Sequence, residues 1–144
     1  MAPPNNRLMI RALSALHRCL YRATGGLIGG RFGKANILLL TTTGRKTGRK
    51  RTTPLLYIKD GDDFVLVASN AGDDRDPGWC LNLKANPHAQ VQVGWARTPV
   101  TARQASPEEK ARLWPRVIDV YPGYDDYATR TSREIPVVIL TPDT

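Results

Sequence analysis

Residues 44–51 read GRKTGRKR, and five of those eight side chains carry positive charge. Arg45, Lys46, Arg49, Lys50 and Arg51 are interleaved with two glycines and a threonine, between apolar, β-prone runs. Like charges crowded into one short turn repel, so the turn suits an anionic guest. Glycines let a backbone come close to such a guest, and backbone N–H groups and the Thr47 hydroxyl can donate to it. Lys46 and Arg51 can add charge-assisted bonds, each worth roughly 1.5–3 kcal/mol. A Walker A loop is excluded, because GxxxxGK[ST] is absent and the next segment reads as a strand. Nucleic-acid binding lacks an aromatic platform interleaved with the charge. On these residues alone, a small anionic ligand and a solvated hairpin tip both remain open.

The elements that must hold this turn read as strands. Residues 36–43 (NILLLTTT) and 52–59 (TTPLLYIK) flank it. Asp60-Gly61 supplies hairpin chemistry, and residues 64–70 (FVLVASN) follow as the next strand. In DPGWCLNLKANP, Asp76 can cap a short helix and Pro77 suits its first turn; Asn86-Pro87 ends it. Residues 89–95 alternate with period two, and TPVTARQA pairs with them. Ser106, Pro107 and Glu109 spell a capping box, with Pro115 expected to break or kink the helix. A tyrosine-bearing, partly helical segment precedes a closing strand at 135–141. About six strands, mostly joined by hairpins, predict an α+β protein: a small antiparallel barrel with peripheral helices.

The chain has 144 residues, which suits one core. Its net charge of +8 favours polyanionic partners and says little about fold. Cys19 and Cys80 form no CxxC pair and have no histidine at zinc spacing, so neither a disulfide framework nor a metal site is expected. The glycines of residues 23–34 follow a helix and miss GxGxxG, which disfavours a dinucleotide fingerprint and suggests a flexible connector. Residues 7–22 predict an amphipathic helix. At about 100° per residue, Met9, Leu13, Leu16 and Leu20 share one sector, and Arg7, Arg11, Arg18 and Arg22 the opposite one. Either the apolar side packs on the core, or the helix lies on an anionic membrane with its arginines toward the headgroups. No run reaches the ~18 apolar residues of a membrane span, and arginines and His17 interrupt any signal-peptide core. The expected location is the cytoplasm, with peripheral attachment at the inner face of the cell membrane as an option.

Four stretches, in order, resemble the deazaflavin-dependent nitroreductase family: LLLTTTGRKTGRKRTTPLLYI, LVASNAG, PGWCLNLKANP and YPGYDDYATRTSREIPVVIL. The likeness spans about residues 36–142. It implies a split β-barrel over 36–144, preceded by a tail, helix and connector over 1–35. The family comprises oxidoreductases that use coenzyme F-420, among them actinobacterial quinone and nitroimidazole reductases. The resemblance matches Lys46, Thr47 and Arg51 to the cofactor's phosphate, and Pro54 and Leu55 to the deazaflavin ring. It matches Ser69, Asn70 and Gly72 to the loop beneath the cofactor, and Gly78, Trp79 and Asn82 to the helix that closes over it. Tyr121, Tyr124 and Tyr127 match substrate-side positions, although their spacing also suits an aromatic face packed on a core. The resemblance implies hydride transfer from the reduced deazaflavin to a quinone or another electron-poor conjugated acceptor, nitroaromatics included. An FMN-dependent split-barrel enzyme and a non-catalytic carrier of coenzyme F-420 are the alternatives. Asp73 and Asp74 stand near a position that is commonly basic, Leu56 replaces the tyrosine of nitroimidazole-active members, and Cys80 replaces a frequent aromatic.

Overall fold

The computed structural model describes residues 13, 15–22, 31–32, 35–69, 75–130 and 134–143. Its strands are β1 (Arg31–Phe32), β2 (Ala35–Thr43), β3 (Lys50–Asp60), β4 (Asp63–Val67), β5 (His88–Val93), β6 (Ala96–Gln104) and β7 (Val137–Pro142). Residues 15–22 are helical. Three later helices are α1 (Gly78–Ala85), α2 (Pro107–Val120) and α3 (Gly123–Arg130).

The barrel is built around β2. Leu38, Leu39 and Leu40 are almost wholly buried, as an apolar run covered on both faces must be. β2 pairs along its length with β3, and with β5 from Leu39↔Gln92 to Thr41↔Gln90. The order β2-β3-β4-β7-β6-β5 therefore returns to β2, giving a closed six-strand antiparallel barrel. β3 and β4 are paired only from Ile58↔Val65 to Asp60↔Asp63. Pro54, which has no N–H to donate, sits on β3 away from those pairs, where a proline costs the sheet least.

Period-two alternation on β4 feeds two cores. Phe64 and Leu66 join Leu38, Leu40, Val91, Val100 and Leu140 in one of them, which Trp79 and Leu83 of α1 also enter. Val65 and Val67 face the other way, packing with Val137 and Ile139 against Leu113 and Val117 of α2 and Tyr124 of α3.

Several expectations change. Strand 64–70 ends at Val67, leaving Ser69 beyond it. Pro77, not Asp76, occupies the N-cap of α1, and Asp76 instead meets Lys84 at 2.7 Å. α2 runs on through Pro115, which is exposed, so the carbonyl it leaves without a partner can be hydrated. Part of the expected connector is strand, since Arg31 and Phe32 pair with Asn36 and Ala35. The N-terminal helix does not pack its leucines on the core: Leu13 is 60% and Leu16 57% exposed. Tyr21 is buried instead, and Arg22 Nη2 donates to Thr52 Oγ1 at 2.9 Å. Met9, Arg7 and Arg11 lie outside the described residues. Among the described residues, no helix is long and apolar enough to cross a membrane.

The capping box of α2 is present. The Glu109 N–H donates to Ser106 Oγ at 3.2 Å, and the Ser106 N–H donates to Glu109 Oε1 at 3.1 Å. Arg103 adds two bonds to the same carboxylate at 2.6 and 2.8 Å. Arg103 first, then the Ser106 N–H, hold the Glu109 carboxyl down at about 2. A depressed carboxyl stabilises the fold above its unfolded pKa, and the effect fades as pH falls through the folded value. Wild type should therefore exceed Glu109→Gln in Tm at neutral pH, with the gap closing as pH falls from about 4.5 towards 2. Parallel thermal melts across that range check it. Ser106→Ala should cost about 1 kcal/mol in denaturant unfolding.

Candidate functional site

The β2–β3 hairpin ends in the basic turn, and its backbone holds the turn tightly. The Gly44 N–H donates to the Arg49 carbonyl and the Gly48 N–H to the Gly44 carbonyl, both at 2.8 Å. Gly48 has φ of 70°, a left-handed conformation that favours glycine. A Cβ on Gly44 would meet Thr47 Oγ1 at 3.0 Å and the Arg49 carbonyl oxygen at 3.1 Å, so a side chain there would push the turn open by a few tenths of an ångström. Thr47 Oγ1 accepts from the Arg49 N–H at 3.2 Å, and Lys50 Nζ donates to Thr43 Oγ1 at 3.1 Å.

α1 stands opposite the turn, joined to it by Asn82. The Asn82 side chain is buried. Its Oδ1 accepts from the Arg45 N–H at 3.2 Å and from Arg45 Nη1 at 2.9 Å, while Nδ2 donates to Thr42 Oγ1 at 3.1 Å. One amide thus ties strand, turn and helix together. Between them lies a cleft of about 570 Å³, within the range of cofactor sites. Lys46, Thr47, Arg51, Gly78, Trp79 and Asn82 all line it. No described carboxylate does, and none is ion-paired to the five cations. Trp79 is both buried in the barrel core and part of the cleft wall, so its packing and site roles coincide.

Other residues fall elsewhere. Pro54 and Leu55 follow Thr53, itself a lining residue, along β3; Leu55 packs against the barrel core. Ser69 is buried just past β4. Asn70 and Gly72 lie outside the described residues. Tyr121, Tyr124 and Tyr127 come together but do not line the cleft. Their rings meet edge-on or tilted, with centroids 4.9–6.3 Å apart. The Tyr121 and Tyr127 hydroxyls share a hydrogen bond of 2.9 Å. A Cβ on Gly123 would lie 3.0 Å from the Tyr121 ring, so glycine there leaves the ring its place. Tyr124 belongs to the second core, and burial raises its phenol pKa. The hydrogen bond to Tyr127, then burial, raises that of Tyr121. Beside them, with Leu56, Val65 and Val117, is a void of about 10 Å³, no larger than a water needs.

Sequence reasoning counted Arg45 among the turn's cations without a role of its own and did not single out Thr42 or Thr53. The signal for Arg45 was its place directly before the Lys46-Thr47 pair. Its link to Asn82, 37 positions away, needed coordinates.

The family model "F420H(2)-dependent quinone reductase" matches residues 13–142. The chain belongs to this family. Among curated members, an F420H(2)-dependent quinone reductase of Mycobacterium tuberculosis is 50% identical over 133 residues, 90% of this chain and 89% of that protein. A solved structure described as an F420-H2 dependent reductase is 43% identical, covering 72% of this chain and 92% of its own, with TM-score 0.67. Another, described as a domain-swapped dimer, is 35% identical over 96% of this chain and 99% of its own, with TM-score 0.70. In this F420H(2)-dependent quinone reductase family member, Asn82→Ala should strand Thr42 and Arg45 without their shared partner. The expected loss is about 1–3 kcal/mol in chemical denaturation.

Proposed function

We propose that the cleft between the basic turn and α1 holds the phosphate-bearing part of coenzyme F-420, and that this enzyme reduces a lipid-soluble quinone. The observation that carries the reading is a cation cluster free of any described carboxylate, lining a cofactor-sized cleft with Gly78 and Trp79. Family membership supplies the cofactor and the quinone class. The charge, the backbone N–H groups and the room all fit an anionic cofactor. When bound, coenzyme F-420 supplies the hydride.

The chain's own residues bind and orient. Lys46 and Arg51 neutralise the phosphate, and the Thr47 hydroxyl and turn N–H groups donate to it. Pro54 and Leu55 give the ring a flat apolar rest, Ser69 borders it, and Gly78 and Trp79 close over it. Asn70 and Gly72 complete the loop beneath. Tyr121, Tyr124 and Tyr127 sit on the acceptor side. Tyr121, its pKa raised, stays neutral, and the hydroxyl pair it forms with Tyr127 can donate a hydrogen bond to the acceptor oxygen, while buried Tyr124 packs behind them and water supplies the proton.

Lys46→Ala and Arg51→Ala should each weaken F-420 binding about tenfold or more, the equivalent of ~1.4 kcal/mol. Titration of the folded protein with F-420, FMN and single-stranded DNA at one salt concentration reads this out. Unchanged affinity in both variants would refute the phosphate placement. Turnover of menadione with reduced F-420 separates an enzyme from a carrier.

A second reading concerns location. The outward leucines of residues 13–20 and the net charge of +8 favour peripheral contact with an anionic membrane at the cytoplasmic face, where a lipid-soluble quinone resides. Full-length protein should float with anionic vesicles and much less with neutral ones, and recovery should fall as salt rises.

A further inference from the structure

The described residues include four large apolar side chains left exposed: Leu13, Leu16, Leu20 and Trp95, the last at 70%. Three lie on the N-terminal helix and one on the turn between β5 and β6, 75 positions beyond Leu20. A single hydroxyl connects the two places. Tyr21 Oη donates to the Gln92 carbonyl at 3.2 Å and accepts from the Gly94 N–H at 3.0 Å. Gly94 has φ of 60°, and the two-residue turn it makes puts Trp95 at the tip. Gln92 Nε2 braces the same turn by donating to the Gly94 carbonyl at 3.0 Å.

The helix is mounted the opposite way round from an ordinary surface helix. At about 100° per residue, Leu13, Leu16 and Leu20 span about 60°, Tyr21 lies about 80° round from Leu13, and Arg22 about 180°. Tyr21 and Arg22 grip the barrel, so the leucines are directed away from it. The exposed Arg97 follows Trp95 by two residues. An apolar tip with a cation beside it, on a chain of net charge +8, is the arrangement that partitions into an anionic lipid interface, where tryptophan is favoured.

We infer that Trp95 and the leucines of the N-terminal helix form one lipid-inserting surface, joined by the Tyr21 hydroxyl, with an anionic bilayer as its occupant. The inference rests on the membrane reading above and adds the β5–β6 turn as a second point of insertion. The helix then acts as a fixed part of the barrel's surface and not as a loose tether.

The test uses full-length protein and phosphatidylglycerol/phosphatidylcholine vesicles carrying bromine on their acyl chains. Wild-type tryptophan fluorescence should be quenched. Trp95→Phe should abolish most of that quenching while still sedimenting with the vesicles, because Trp79 is buried in the barrel core and Trp114 is half-buried on α2 against the second core. Trp95→Asp should lower vesicle recovery about tenfold. Equal recovery of wild type and Trp95→Asp, or quenching that persists in Trp95→Phe, would overturn the shared surface and leave the membrane reading standing. No wild-type recovery at all would overturn the membrane reading itself. A lipid-free dimer that Trp95→Asp dissociates would assign the surface to a second copy and overturn the inference.

Discussion

Five like charges within seven positions push one another apart, and everything at the site depends on their being held together. The β2–β3 ladder does the holding. It runs unbroken from Asn36↔Tyr57 to Thr43↔Lys50, with a turn closed tightly at Gly44. The repulsion among cations is the affinity for an anion seen from the other side. A turn to which no described carboxylate is paired gains most when an anion arrives, and such a carboxylate would have cancelled that gain. Among the described acidic residues, Asp60 pairs with Arg112 and Arg116, Glu109 with Arg103, and Asp76 with Lys84.

The charged turn would still be useless if it moved freely against α1. Asn82 prevents that by spending its amide on Arg45 and Thr42. The barrel thus presents charge, aromatic wall and strand as one unit. The second core under α2 and α3 plays a different part. It holds the three tyrosines as a packed cluster against the outer face of β4, at some distance in sequence and environment from the cation turn.

Much of this was legible beforehand, for physical reasons. Strands such as ILLLTTT and the capping box of α2 are local signals, and they appear where the sequence put them. The boundaries that shifted were settled by partners: Ser69 falls outside β4 because pairing with β7 stops at Val67↔Val137. Pro115 looked like a breaker because the loss of one hydrogen bond is visible in sequence, whereas exposure of the freed carbonyl is not. The N-terminal helix is the clearest case. Periodicity identified its apolar and basic sides but could not say which side would be gripped. That was decided by one tyrosine whose partners lie 71 and 73 positions away. Asn82 was placed at the site through resemblance. Its brace to the turn depends on contacts 37 and 40 positions away, which no local pattern encodes.

The Tyr21 anchor also bears on how this protein is handled at the bench. Its ring is 99% shielded and its oxygen completes the bonding of a turn amide and a strand carbonyl. Shortening the gene to begin after codon 24 would remove that hydroxyl and its two bonds to the β5–β6 end. Preparations trimmed in this way would leave the Gly94 N–H and the Gln92 carbonyl without that partner, so a fall in their activity would speak to the scaffold as much as to lipid.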